Sequence, residues 1–229
     1  MSEGVAVGLA TAAYGVSFGA VSTAAGLSVL QTSVLSLLMF TGASQFALVG
    51  VVAGGGTPVS GAATAVMLGT RNTLYGLRLA PLLDWHGWRR AAAAHVLLDE
   101  STAMSVNRTT RAAVRVGFLS TGLAVFVLWN IATVLGAVAG QVLGDPRTYG
   151  LDAAVGAAFL ALLWPRLKDR RNVAVSLAAG VLALALVPVT AAGVPVLAAG
   201  GVALLAGTRG RGQDPTEVPG PDDVPGGAS

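Results

Sequence analysis

The chain has no cysteine, one lysine and two histidines, and only 11% of its 229 residues are charged. Each shortage excludes something. Without cysteine there is neither a disulfide framework nor a thiolate metal site. His95 stands one helical turn before Asp99, but no third ligand follows at a fitting spacing, so no metal is expected. The chain lacks GxSxG, GxxxxGK and a GxGxxG after a strand, so it has no hydrolase elbow and no nucleotide loop. No enzyme activity and no cofactor are expected. A soluble domain carries roughly 25% charged residues. Here hydrophobic residues make up 54% and mean hydropathy is +0.71. Six of the 25 charged residues also lie in the last 21 positions. A soluble globular enzyme, a disordered regulator and a small secreted domain are excluded together.

A net charge of +3 and a pI near 10.0 raise the question of nucleic acid, but the placement of the bases answers against it. They sit in short clusters between long apolar runs, as in membrane proteins. Arginine outnumbers lysine 13 to 1, which reads as the mark of a GC-rich, bacterial genome rather than as chemistry.

From Gly4 to Thr70 there are 67 residues without Asp, Glu, Lys, Arg or His. A crossing helix needs about 20 apolar residues, so spans are predicted near 5–25, 30–53 and 58–81. Val116–Gly144 gives a fourth. Asp152–Trp164 is a short apolar run, and Asn172–Thr208, broken by Pro188, Gly193 and Pro195, reads as a hairpin of two short spans. Residues 91–107 either cross with two buried acids, Asp99 and Glu100, or dip in without crossing. If they do not cross, four basic clusters share one side: Arg89/Arg90, Arg108/Arg111/Arg115, Arg166/Lys168/Arg170/Arg171 and Arg209/Arg211. The positive-inside rule favours that arrangement. The expected architecture is therefore all-α: a polytopic helix bundle of about seven spans over 1–208, with a disordered cytoplasmic tail over 209–229. The N-terminus is expected outside and the C-terminus in the cytoplasm of a bacterial inner membrane. Glu3 stands where a signal peptide would be basic, so the first segment is read as a retained span. This topology allows a 3+3 inverted repeat plus one span, supported only by a Gly-Ala-Val match at Gly19–Val21 and Gly136–Val138 that could be chance.

Phe40-Thr41-Gly42-Ala43-Ser44-Gln45-Phe46 lies in the middle of the second predicted span. Small and polar residues there loosen the helix, and irregular backbone at that depth must face protein or a watery cavity. A broken helix would offer free N–H groups to a carboxylate. Close helix packing accounts for Gly42 and Ala43 as well, but poorly for Gln45. Arg71, Asn72, Tyr75 and Arg78 follow on the third span, with Arg71, Tyr75 and Arg78 on one face. Arg71 is too deep to reach the interface and is either a functional group or the partner of a buried acid; Arg78 can snorkel. Asp99 and Glu100 point about 100° apart on a helix. They are either parts of a proton relay or solvated acids at a helix end. The GxxxG spacings Gly15/Gly19 and Gly136/Gly140/Gly144 mark tight helix contacts. Trp129-Asn130 is a polar break in an apolar run.

The Phe40–Phe46 block, Arg71 followed by Leu74-Tyr75-Gly76-Leu77 and Leu79-Ala80-Pro81, then Leu98-Asp99-Glu100, with Trp129 in the next span, together resemble the AzlC family. The likeness covers about 1–208. The family's third span often reads Asn-Leu-Arg-His, where this chain has Gly69-Thr70-Arg71-Asn72, so specificity or coupling can differ here. The resemblance implies the large subunit of a bacterial exporter of branched-chain amino acids, working with a separately encoded small AzlD-like membrane subunit. On that reading Thr41, Gly42, Ala43, Ser44, Gln45, Arg71, Asn72 and Tyr75 bind substrate, and Asp99 and Glu100 couple protons. The expected surroundings are the lipid bilayer, the amino-acid substrate and the small subunit, with no nucleic acid. A non-transporting structural or regulatory membrane subunit is the competing reading.

Overall fold

The computed structural model describes residues 2–143, 160, 163–164 and 167–209. Among the described residues every regular element is a helix. The run 152–164, apart from residues 160, 163 and 164, and the tail from residue 210 lie outside them. Three long helices frame the bundle: α1 (Ser2–Ala24), α4 (Pro58–Leu83) and α7 (Arg111–Leu143). Four short ones lie between, α2 (Val29–Leu38), α3 (Ala43–Ala53), α5 (Gly87–His95) and α6 (Asp99–Val106). Two more close the described chain, α8 (Arg170–Leu186) and α9 (Val194–Arg209). Helix α1 and residues 111–142 of α7 are long and apolar enough to cross a membrane. Helix α4 has 26 residues, or about 39 Å of rise, but carries Arg71, Asn72 and Arg78 along it.

Helices α1 and α7 run parallel and nearly backbone to backbone. Gly4 faces Thr121, Gly8 faces Ala124, Gly15 faces Trp129, and Gly140 faces Ala20. A Cβ on Gly19 would run into the Thr133 carbonyl, and one on Gly136 into the Val16 carbonyl. Small residues allow this approach, and in a bilayer such packing holds helices together where the hydrophobic effect cannot. The GxxxG reading is thus met at this pair.

One end of the bundle is fixed by charge. Arg108 meets Glu3 at 2.8 Å, and Arg111 meets Asp84, just past α4, at 2.7 Å. Arg115 donates to the Leu83 carbonyl at 2.8 Å and lies over the Trp85 ring. The starts of α1 and α7 and the end of α4 therefore share this basic end, so α4 runs opposite to α1 and α7. Arg89 and Arg90, in the first turn of α5, stand five and six positions after Asp84. The turn between α8 and α9 packs at the other end, where Ala192 lies against Gly54 and Gly193 against Ser60, so Arg170 and Arg171 at the start of α8 lie away from it. The basic clusters of the described residues gather on one side, as the charge pattern predicts. The predicted N-terminus does not: Glu3 belongs to the basic end, where its carboxylate pairs with Arg108, and not to the opposite one.

The second predicted span is also corrected. Residues 30–53 do not cross. Helix α2 opens with a capping box, in which Ser28 Oγ accepts from Gln31 N at 3.1 Å and Gln31 Oε1 from Ser28 N at 2.8 Å. It descends from the far end, held by Ser22–Thr32 and Ser36–Thr133 hydroxyl contacts of 2.8 and 3.5 Å. Its end reaches the middle of the bundle, where Phe40 meets Phe126. The chain then turns back. Helix α3 packs antiparallel to α4, with Leu48 against Gly61 and Ser44 close to Gly69, and returns to the far end at Gly54. Helices α5 and α6 repeat the device from the basic end. Helix α5 enters after Asp84, and His95 meets Phe40 and Phe126 at mid-bundle. Helix α6 then runs back along α7, with Met104 against Gly117. Residues 91–107 therefore dip in without crossing. His95 and Asp99 belong to two different helices, and the pairing one turn apart does not form. An inversion is present, but its unit is a long helix followed by a re-entrant hairpin, α1–α3 and α4–α6, rather than three crossings. The count of seven spans fails at the second, because Gly42 reverses the chain there.

Two outcomes are expected. Gly136→Val should lower the melting temperature in detergent, since overpacking costs about 1–3 kcal/mol, while Gly50→Ala, whose Cβ would meet nothing, should not. Single cysteines at Ser28 and Thr57, labelled in intact cells with a membrane-impermeant reagent, should read the same side; opposite sides would restore a crossing over 30–53.

Candidate functional site

The tips of the two hairpins meet at the middle of the bundle and enclose a cavity of about 200 Å³. The first tip contributes Phe40, Thr41, Gly42 and Ala43, and the second Leu98, Asp99 and Glu100. Helix α4 adds Arg71, α1 adds Thr11 and Tyr14, and α7 adds Val125 and Trp129. Its wall is mostly apolar, with the charged groups gathered on the side of α4 and α6.

The first tip is built by Gly42, whose φ of 61° and ψ of −92° suit a residue without a Cβ. Its N–H donates to Gln45 Oε1 at 3.1 Å, so Gln45 caps its own helix from a fully buried position. The cap uses Gln45 Oε1 and leaves Gln45 Nε2 without a hydrogen-bond partner among the described residues. Beyond the cap, the first-turn N–H groups of Ala43 and Ser44 have no i−4 carbonyl to bond. They form the positive end of the α3 dipole, at the cavity wall. The Ser44 side chain is buried toward α4 and leaves the cavity to its neighbours.

The second tip is held by polar groups that close its broken backbone. Ser101 Oγ accepts from Leu98 N at 2.9 Å and donates to Val96 O at 2.9 Å. Asn72 Nδ2 donates to Leu97 O at 3.3 Å. Asn72 is thus a brace between α4 and the hairpin and does not line the cavity. Tyr75, one turn further, is half-buried and also outside the lining. Arg78 is exposed. Arg71 Nη1 meets Asp99 Oδ2 at 2.8 Å, with the side chains 30% and 24% exposed. Glu100 lines the same cavity and forms no salt bridge among the described residues.

Of the residues predicted from sequence, Thr41, Gly42, Ala43, Arg71, Asp99 and Glu100 come together at one site. Ser44, Gln45, Asn72 and Tyr75 support it or stand beside it. Thr11 and Tyr14 were not predicted, since nothing in the apolar run of α1 sets them apart. Trp129 was noted as part of a polar break and of the family resemblance, not as a site residue; here it stacks on Phe18 and meets Phe46 edge-on. Asn130 turns its amide to the Phe126 carbonyl of its own helix. Among the described residues no group of three His, Cys, Asp or Glu side chains could hold a metal.

Residues 6–143 match the family described as AzlC protein. An "Uncharacterized membrane protein" of Archaeoglobus fulgidus is 33% identical over 170 residues, covering 73% of this chain and 74% of that relative. No solved structure matches. The family match takes in both hairpins, all three framing helices and the whole cavity, and it spans more than half of the sequence: this chain belongs to the AzlC family of membrane proteins.

Proposed function

We propose that the chain is the large subunit of a secondary transporter that exports branched-chain and similar apolar amino acids from the cytoplasm, together with a small AzlD-like membrane subunit. One observation carries the reading. A helix N-terminus, a carboxylate with no salt bridge among the described residues and an apolar wall face the same small cavity at mid-bundle. A zwitterion with an aliphatic side chain needs those three surfaces. Its carboxylate takes the N–H groups of Ala43 and Ser44, and its ammonium faces Glu100. Its side chain lies against Phe40, Leu98 and Val125. The Arg71–Asp99 pair holds α4 to the second tip and leaves Glu100 as the group free to bind ammonium or carry a proton. Half-helices with their termini aimed at a midplane site recur in secondary transporters. Any drive from ATP would need another chain.

The basic end is placed in the cytoplasm of the inner membrane by the positive-inside rule. Glu3 then puts the N-terminus there as well. Among the described residues α1, α4, α7, α8 and α9 are then the crossings, and the start of α1 and the end of α9 lie on the cytoplasmic side.

Cells lacking the gene and loaded with dipeptides should accumulate Leu, Ile or Val, and the wild-type gene should lower that pool. No change in any apolar amino acid would favour a non-transporting subunit. Arg71→Ala should stay in the membrane and lose export: the pair is partly exposed, so its loss costs about 1–3 kcal/mol, short of unfolding. Immunoblotting of membranes alongside the dipeptide assay separates the two effects, and loss of the protein itself would make Arg71 structural.

Gly42→Ala should already impair export, because a side chain at this backbone geometry costs about 1–3 kcal/mol. Gly42→Leu should abolish it. A Cβ at Gly42 meets no neighbour within 4 Å, so the effect of alanine reports backbone geometry and not crowding. Normal export by Gly42→Ala would show that this geometry is dispensable.

A further inference from the structure

A second cavity, of about 670 Å³, lies between α3, α4 and the turn joining α8 to α9. Its wall includes Gly54, Thr190, Ala192 and Gly193, which places it at the end of the bundle away from the basic clusters. Among the described residues Phe46 alone lines both this cavity and the central one. Its ring is 6% exposed. It packs edge-on against Phe18 at 5.3 Å and against Trp129 at 6.2 Å, and Phe18 and Trp129 stack on each other at 6.2 Å. Three rings from α1, α3 and α7 thus close the central cavity on the side facing the second one.

We propose that Phe46 is the gate between the substrate cavity and an outward vestibule, and that the second cavity is that vestibule. The inference rests on the transport reading for its direction, but the barrier itself is a property of the fold. Phe46 is on α3, the returning arm of the first hairpin, and its ring is held by edge contacts with Phe18 and Trp129. A rotation of this one side chain, or a small shift of α3 along α4, joins the two spaces. Ala47 and Gly50, on the vestibule side of α3, are small and leave the path open. The vestibule wall is almost wholly apolar, which suits release of an amino acid with an aliphatic side chain and offers no second site for a charged one.

The absence of native cysteine makes a direct test available. Ala43→Cys marks the central cavity and Ala192→Cys the vestibule. Intact cells expressing each, with Phe46 kept or changed to Ala, are treated with a membrane-impermeant maleimide. Ala192→Cys should be labelled in both backgrounds. Ala43→Cys should be unlabelled with Phe46 in place and labelled with Phe46→Ala. Labelling of Ala43→Cys despite Phe46, or none in either background, overturns the gate. Failure to label Ala192→Cys overturns the vestibule. Phe46→Leu is the second variant should the alanine form be lost from the membrane, and it should give intermediate labelling. The export assay is run in parallel: a gate that fails here with export intact leaves the transporter reading standing, and the reverse result separates them equally well.

Discussion

A backbone N–H or C=O cannot be left facing hydrocarbon, and this chain breaks two helices at mid-depth. Everything else in the bundle follows from meeting that requirement. At the first break Gln45 takes the N–H of Gly42, and Thr41 Oγ1 donates to the Met39 carbonyl at 3.4 Å. At the second, Ser101 and Asn72 take up the groups of Val96, Leu97 and Leu98. The first-turn amides of α3 also lack intrahelical acceptors, and they lie at the wall of a cavity inside the protein. Helices α1 and α7, pressed together through glycines, form the wall that keeps lipid from the tips. Small residues along two long helices and polar residues at two short turns thus solve one problem.

The same arrangement concentrates charge. Helix α4 carries Arg71 at the depth of both tips, and Asp99 is the first residue of α6, where a helix dipole favours an acid. Pairing them makes an arginine tolerable at that depth and ties α4 to the second hairpin. Glu100 points elsewhere because neighbours on a helix diverge by about 100°, and among the described residues it forms no salt bridge.

The breaks themselves were legible in the sequence: the small and polar run Thr41-Gly42-Ala43-Ser44-Gln45 pointed to a loosened helix, with packing as the alternative, and the charge pattern favoured 91–107 not crossing. Arg71 and Asp99 were legible as partners among alternatives. The direction of the chain after Gly42 was not. An apolar segment of 43–53 looks the same whether it continues outward or turns back, and the choice is made by one positive φ and by packing against α4. Reading that turn as a crossing is also what set the expected N-terminus opposite the basic end, where Glu3 pairs with Arg108. Thr11 and Tyr14 were invisible for another reason: they enter the site only because α1 lies against α7, more than 100 positions away.

The hairpin arms have consequences for how the protein is made. Helices α2, α3, α5 and α6 have 10, 11, 9 and 8 residues, each far short of the roughly 20 needed to hold a place in a bilayer alone. Neither hairpin can settle when it leaves the ribosome. The first must wait for α7, whose Phe126, Trp129 and Thr133 receive it, and α7 is synthesised only after the second hairpin has emerged. Biogenesis of this chain therefore has two stages with an enforced order, in which the long helices insert first and the central cavity is assembled last, from pieces held at the membrane surface until their wall arrives.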